Sequence, residues 1–162
     1  MSASTALGAI ISRQAYEKRL HFYNAHTGER LNVCYCANGR YLNDALARIN
    51  YILRDFRTGD VKPIDFGLLD TLHSLSRKIT RRCTFHIISG YRSPFTNARL
   101  RKKSRGVARN SYHMYGKAID VFVPGYRLSK LRRQAVSLKA GGVGYYPRTG
   151  FLHLDVGPVR QW

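Results

Sequence analysis

Between residues 20 and 56 the hydrophobic spacing changes once, and that change bounds the fold. The stretch RLHFYNAHTGERLNVCYC (residues 19–36) alternates apolar and polar side chains on both sides of a turn-like Asn-Ala-His-Thr-Gly. A period of two suits a half-buried strand, so this segment predicts an N-terminal hairpin. From Arg40 onward the period lengthens. Leu42, Ala45, Leu46, Ile49, Ile52, Leu53 and Phe56 fall on one helical face, with Gly59 as the stop. A chain that begins this way needs helices packed against a sheet.

The rest follows the same alternation of types. Asp65 is placed to cap a second helix whose inward residues are Phe66, Leu68, Leu69, Leu72, Leu75 and Ile79. TFHIIS reads as a buried strand running into the loop GYRSP, and 94–110 as a short helix followed by an exposed loop. AIDVFV is a further strand, and Leu128 to Lys139 a further helix ending at Gly141-Gly142. VGYY, the turn PRTG and FLHLDV form a closing hairpin. The expected fold class is α+β, a small, mainly antiparallel sheet with two or three helices packed on it.

At 162 residues the chain suits one domain, and 44% hydrophobic with 23% charged residues argues against wholesale disorder. No apolar run is long enough to span a membrane. The run Ala6–Ile11 is too short for a signal-peptide core and has no basic segment before it. Cys34, Cys36 and Cys83 form no C-x-x-C pair and read as small buried apolar residues.

Charge is the unusual quantity. The net charge is +19, and it is lopsided: residues 71–162 hold 19 Lys and Arg against two acids, Asp120 and Asp155, a balance of +17. Such a field recruits polyanions, whether nucleic acid, an anionic membrane face or an acidic wall polymer. The two acids lie near histidines. Asp120 follows His113 by seven residues, and His153 and Asp155 stand two apart on one strand face. Two histidines and a carboxylate from separate elements suit a three-ligand zinc site with an open fourth position for water.

The stretch Ser111, His113, Gly116, Ala118, Asp120 has the form S-x-H-x-x-G-x-A-x-D. It resembles the first zinc motif of the D-Ala-D-Ala metallopeptidase group, which also includes lysostaphin-type enzymes and the zinc domain of hedgehog proteins. With ISGYRSP upstream, GGVGYYPRTGFLHLDVGP downstream and Trp162, the chain from about Leu20 to Trp162 is similar to the murein endopeptidase K branch of that group. The resemblance implies a hedgehog-like α+β domain over 20–162, with 1–19 an extension that is disordered or not native. It implies one zinc per chain on His113, Asp120 and His153, with Arg92 of GYRS polarising the scissile carbonyl. Ser111 and Tyr146 are expected to contact substrate.

Many members of the wider group carry Glu or Asp three residues before the last histidine, or a histidine two before it; here those positions are Gly150 and Phe151. Asp155 is the nearest candidate base in sequence, with a role in orienting a histidine as the alternative. The implied activity is hydrolysis of peptide crosslinks in peptidoglycan, in the periplasm or cell envelope, by an exported monomer whose signal is absent from this sequence. The expected partner is the wall peptide, not nucleic acid. A non-catalytic zinc module that binds wall or a partner is the second reading.

Overall fold

The computed structural model describes residues 16–80, 83–104 and 106–162. Five elements open the chain: strands β1 (Glu17–Asn24), β2 (Arg30–Ala37) and β3 (Arg40–Tyr41), then helices α1 (Asn43–Ile52) and α2 (Phe66–Ile79). β4 (Thr84–Ser89) and α3 (Pro94–Lys103) follow, then a 3-10 turn at Tyr112–Tyr115 and β5 (Ala118–Phe122). The chain closes with α4 (Leu128–Ser137), β6 (Gly142–Tyr146), β7 (Phe151–Asp155) and β8 (Arg160–Gln161). The expected hairpins are present as β1–β2 and β6–β7, and TFHIIS is β4 residue for residue. β1 begins at Glu17, three residues before the boundary drawn at 20, and Asn38 N donates to Tyr16 O just ahead of it; residues 1–15 of the proposed extension lie outside the described residues.

The eight strands form one sheet in the order β3-β2-β1-β4-β5-β7-β6-β8. It is larger than expected, and mixed. β1 pairs parallel with β4, and β6 parallel with β8. A parallel pair needs a crossover, which α1 and α2 provide between β1 and β4. Four α-helices are present among the described residues, rather than two or three.

Alternation along each central strand divides the sheet into two faces. Leu20 and Phe22, Phe85 and Ile87, Ile119 and Val121, and Leu152 and Leu154 point to one side and are buried. Against them lie Leu68, Leu69, Leu72 and Leu75 of α2 and Leu131 and Ala135 of α4. Full burial of each such leucine contributes roughly 1.5–3 kcal/mol, so this layer holds the sheet rigid. The residues between the core positions, Asp120 in β5 and His153 in β7, therefore project from the opposite face, opposite each other in register.

Two details depart from the sequence pattern. Helix α1 stops at Ile52, because the next carbonyl, Leu53 O, accepts from Tyr91 N and ties the chain to the loop after β4. Phe56 leaves the helical face and stacks on His26 with ring centroids 3.9 Å apart. Phe66 and Leu42 are exposed, Phe66 lying flat on Tyr41 at 4.5 Å. Asp65 caps α2 as expected, accepting from Gly67 N at 2.8 Å. The three cysteines are free thiols, with Cys36 and Cys83 buried and Cys34 half-buried.

Candidate metal centre and cleft

Two strands and one turn bring the chemistry together. His113 lies in the short 3-10 turn, which ends at Gly116 in the left-handed region (φ 66°). A side chain at Gly116 would collide with the backbone carbonyl of Pro63, so glycine serves both the turn and its packing. The turn delivers the chain to β5, where Asp120 faces His153 across the antiparallel β5–β7 pair.

His113 Nε2, His153 Nδ1 and Asp120 Oδ1 converge. His153 Nδ1 is 2.9 Å from Asp120 Oδ1, His113 Nε2 is 3.3 Å from the same oxygen, and the two nitrogens are 3.2 Å apart. The outer partners fix what these atoms are. His113 Nδ1 lies 2.8 Å from the Gly90 carbonyl, and His153 Nε2 lies 2.9 Å from Asp155 Oδ2. Both oxygens only accept, so those ring nitrogens carry the protons. In the neutral rings the inward nitrogens are then bare lone pairs, facing each other and a carboxylate. Three acceptors in contact require a positive guest. A tetrahedral ion with ligand bonds of about 2.0–2.1 Å separates its ligand atoms by about 3.3 Å, so the donor set fits a zinc-sized cation.

Without such an ion a proton takes its place. Burial disfavours the charged His153 ring, but its hydrogen bonds to Asp120 and Asp155 outweigh that and hold its pKa up at about 9. Burial likewise opposes the Asp120 carboxylate, yet the two histidines hold its pKa well below the usual carboxylate range.

Arg92 enters from the loop after β4. Its backbone N–H donates to His113 O, and its Nη2 lies 3.7 Å from Asp120 Oδ2. The guanidinium is 8% exposed as a residue, makes only long contacts to Asn97 Oδ1 and Ser89 Oγ (3.4 Å each), and leaves its buried Nε without a partner. Burial lowers its pKa, with Asp120 opposing that shift. A buried, poorly satisfied guanidinium is primed to donate to an incoming oxygen.

These groups line a cleft of about 410 Å³, together with Ser111, Tyr146, Arg160 and Trp162. Ser111 is buried at the head of the 3-10 turn, but its hydroxyl makes no capping bond. Tyr146 stacks on Phe151 at 4.8 Å and accepts from Trp162 Nε1 at 3.0 Å. Gly150 and Phe151, the positions at which the resemblance directs the search for a base, are a left-handed turn residue (φ 78°) and this stacked ring.

Asp155 does not line the cleft. Its side chain is fully buried behind His153, where five N–H groups meet one carboxylate. Oδ2 accepts from His153 Nε2 and Arg160 Nη2 (2.7 Å); Oδ1 accepts from Arg160 Nη1 (3.0 Å), Gly157 N (2.8 Å) and Gly142 N (3.3 Å). Burial is overcome by these donors, so its pKa too lies well below the usual range. Sequence reasoning did not single out Arg160, nor the Gly90 carbonyl. The first sits on a two-residue strand without periodicity, and the second is a backbone atom.

The mixed sheet, the His113–Asp120–His153 cluster and the adjoining arginine define the chain as an M15-like peptidase. Residues 12–162 match the family described as peptidoglycan L,D-endopeptidase MepK, and the chain belongs to that family. It is similar to the peptidoglycan L,D-endopeptidase MepK of Escherichia coli K12, at 46% identity over 139 residues, which cover 86% of this chain and 76% of the relative. It is similar also to the probable peptidoglycan L,D-endopeptidase MepK of Haemophilus influenzae, at 43% over 144 residues, covering 88% and 77%.

Proposed function

We propose that this chain is a zinc-dependent endopeptidase that hydrolyses peptide crosslinks of peptidoglycan, of the L,D type named for its relatives. The observation that carries the reading is the convergence of three lone-pair donors beside an under-satisfied arginine in an open cleft. His113, Asp120 and His153 hold the ion. Bound there, zinc supplies a Lewis acid for the scissile carbonyl and an activated water.

The chain's own groups do the rest. Arg92 presents its guanidinium to the carbonyl oxygen as negative charge develops on it, a fixed donor that needs no reorganisation. Ser111, with its uncapped hydroxyl, and Tyr146 contact the substrate. Asp155 serves as the orienter of His153. Its burial and its five donors leave no free lone pair in reach of a water in the cleft, which supports this role over that of general base. The basic surface after Asp70 draws the enzyme to an anionic polymer, so peptidoglycan peptides are the partner and the cell envelope the place of action. No helix among the described residues is long and apolar enough to cross a membrane.

Purified sacculi and defined crosslinked muropeptides provide the test, with products identified by mass spectrometry. Turnover abolished by a chelator and restored by zinc is the expected result. Zinc binding with wall retention and no turnover would establish a non-catalytic module instead.

A further inference from the structure

We infer that Tyr146 is a second hydrogen-bond donor to the transition state, and that Trp162 is the residue that aims it. The inference rests on the peptidase reading above and extends it to groups that hold no metal. The indole Nε1–H of Trp162 is a donor only, and it lies 3.0 Å from the Tyr146 hydroxyl. The phenol oxygen therefore accepts at that contact, and its own proton is turned elsewhere. Among the described residues no acceptor takes that proton, while Tyr146 and Trp162 both line the cleft. A phenol held in this way keeps its proton free to donate to a ligand in the cleft.

The surroundings make the placement firm. The Tyr146 ring is stacked on Phe151, and the indole packs against His153 with ring centroids 5.5 Å apart. The main chain of Trp162 is tied at both ends, its N–H to Val143 O and its carbonyl to Tyr145 N. Gly144 makes room for the ring: a Cβ there would lie 2.8 Å from indole carbons. Arg160 covers another side of the indole, 5.0 Å from its ring. Arg92 lines the same cleft. Two donors of different kinds, one charged and one neutral, thus serve one oxygen from separate strands and loops.

A neutral donor in this position strengthens as charge grows on the oxygen, so its loss should appear in kcat rather than KM. Tyr146→Phe is expected to lower kcat on a defined crosslinked muropeptide on the order of 10²-fold, with metal content unchanged. Trp162→Phe removes the aiming bond while keeping an aromatic ring beside His153 and is expected to cost roughly tenfold at most. In the Tyr146→Phe background it should cost nothing further, because its target is gone. Trp162 is the sole tryptophan, so a 15N-labelled sample gives one indole N–H resonance. Tyr146→Phe should move that resonance upfield and speed its exchange with solvent, with or without zinc.

The outcomes separate cleanly. Zinc-loaded wild type without turnover overturns the peptidase reading and this inference together. Wild-type turnover with normal kcat in Tyr146→Phe, or a rise in KM alone, overturns the donor role and leaves the peptidase reading standing. Loss of metal in Tyr146→Phe overturns it too, by showing that the ring acts through the metal centre. Additive effects in the double variant, or an indole resonance indifferent to Tyr146→Phe, overturn the role of Trp162.

Discussion

Replacing Asp155 by Asn exchanges one carboxylate oxygen for an NH2 group, and its expected effect is a reversed histidine. In the native arrangement every hydrogen-bond partner of Asp155 is a donor, two on Oδ2 and three on Oδ1. An asparagine must present its NH2 group to one of these sets, and the smaller mismatch is on the Oδ2 side. There the NH2 faces His153 Nε2, which then has to accept. The ring proton moves to Nδ1, the nitrogen aimed at Asp120 and His113, and the lone pair that would bind metal is lost. Restoring the binding tautomer means leaving two donors face to face. Lost outer partners of this kind weaken metal binding roughly 10–100-fold, or about 1.4–2.7 kcal/mol. The size agrees with one hydrogen bond to a charged group, about 1.5–3 kcal/mol. Competition with a chromophoric chelator measures the affinity, and 15N shifts of the imidazole report the tautomer. At saturating zinc, turnover should return to near the wild-type rate. Native metal affinity with turnover lost at all zinc concentrations would refute the reasoning and return Asp155 to the role of base.

Three further outcomes follow from the same geometry. His113→Ala or His153→Ala should each lose the metal, read by metal analysis of the purified protein, and full occupancy in both would sink the ligand assignment. Arg92→Ala should lower kcat on the order of 10²–10³-fold, and Arg92→Lys should rescue only partly because it lacks the planar fork; a rise in KM alone would indicate a substrate-carboxylate contact instead. In metal-free protein, pH should act in two directions. The pKa of His153 is raised from 6.5 to about 9, so its contribution is complete below 6.5 and is lost as pH climbs toward 9. The carboxylates of Asp120 and Asp155 are depressed from 3.8, so theirs is present above that value and lost as pH falls further. Thermal unfolding across pH should show both arms, and saturating zinc, which displaces the His153 proton, should remove the alkaline one. An alkaline arm unchanged by zinc would contradict this.

Which parts of this architecture could be read from the chain depended on how local their causes are. The β1–β2 and β6–β7 hairpins and helix α2 were legible because a period of two or 3.6 is a property of neighbouring residues. The parallel pairing of β1 with β4 was not, since nothing near His21 indicates that Thr84 will lie beside it. The end of α1 at Ile52 depends on Tyr91 reaching back to Leu53 O, again a distant cause. Among the site residues, His113, Asp120 and His153 stood out by residue type in a stretch short of acids. Strand alternation correctly placed Asp155 on the His153 side but did not say which ring nitrogen it would meet. That depends on Arg160, Gly142 and Gly157 closing around the carboxylate from behind.

The two histidines of the centre are anchored in different materials. His113 is oriented by the Gly90 carbonyl, a main-chain atom that every amino acid at position 90 would also carry. Gly90 itself is pressed against the Leu53 carbonyl, so even its position admits little drift. His153 is oriented by a side chain, which one codon change can shorten, neutralise or remove. One half of the centre is therefore closed to gradual adjustment, while the other is a dial. Efforts to retune this centre for a different ion or a different working pH have one practical place to begin, and it is the Asp155–Arg160 pair behind His153.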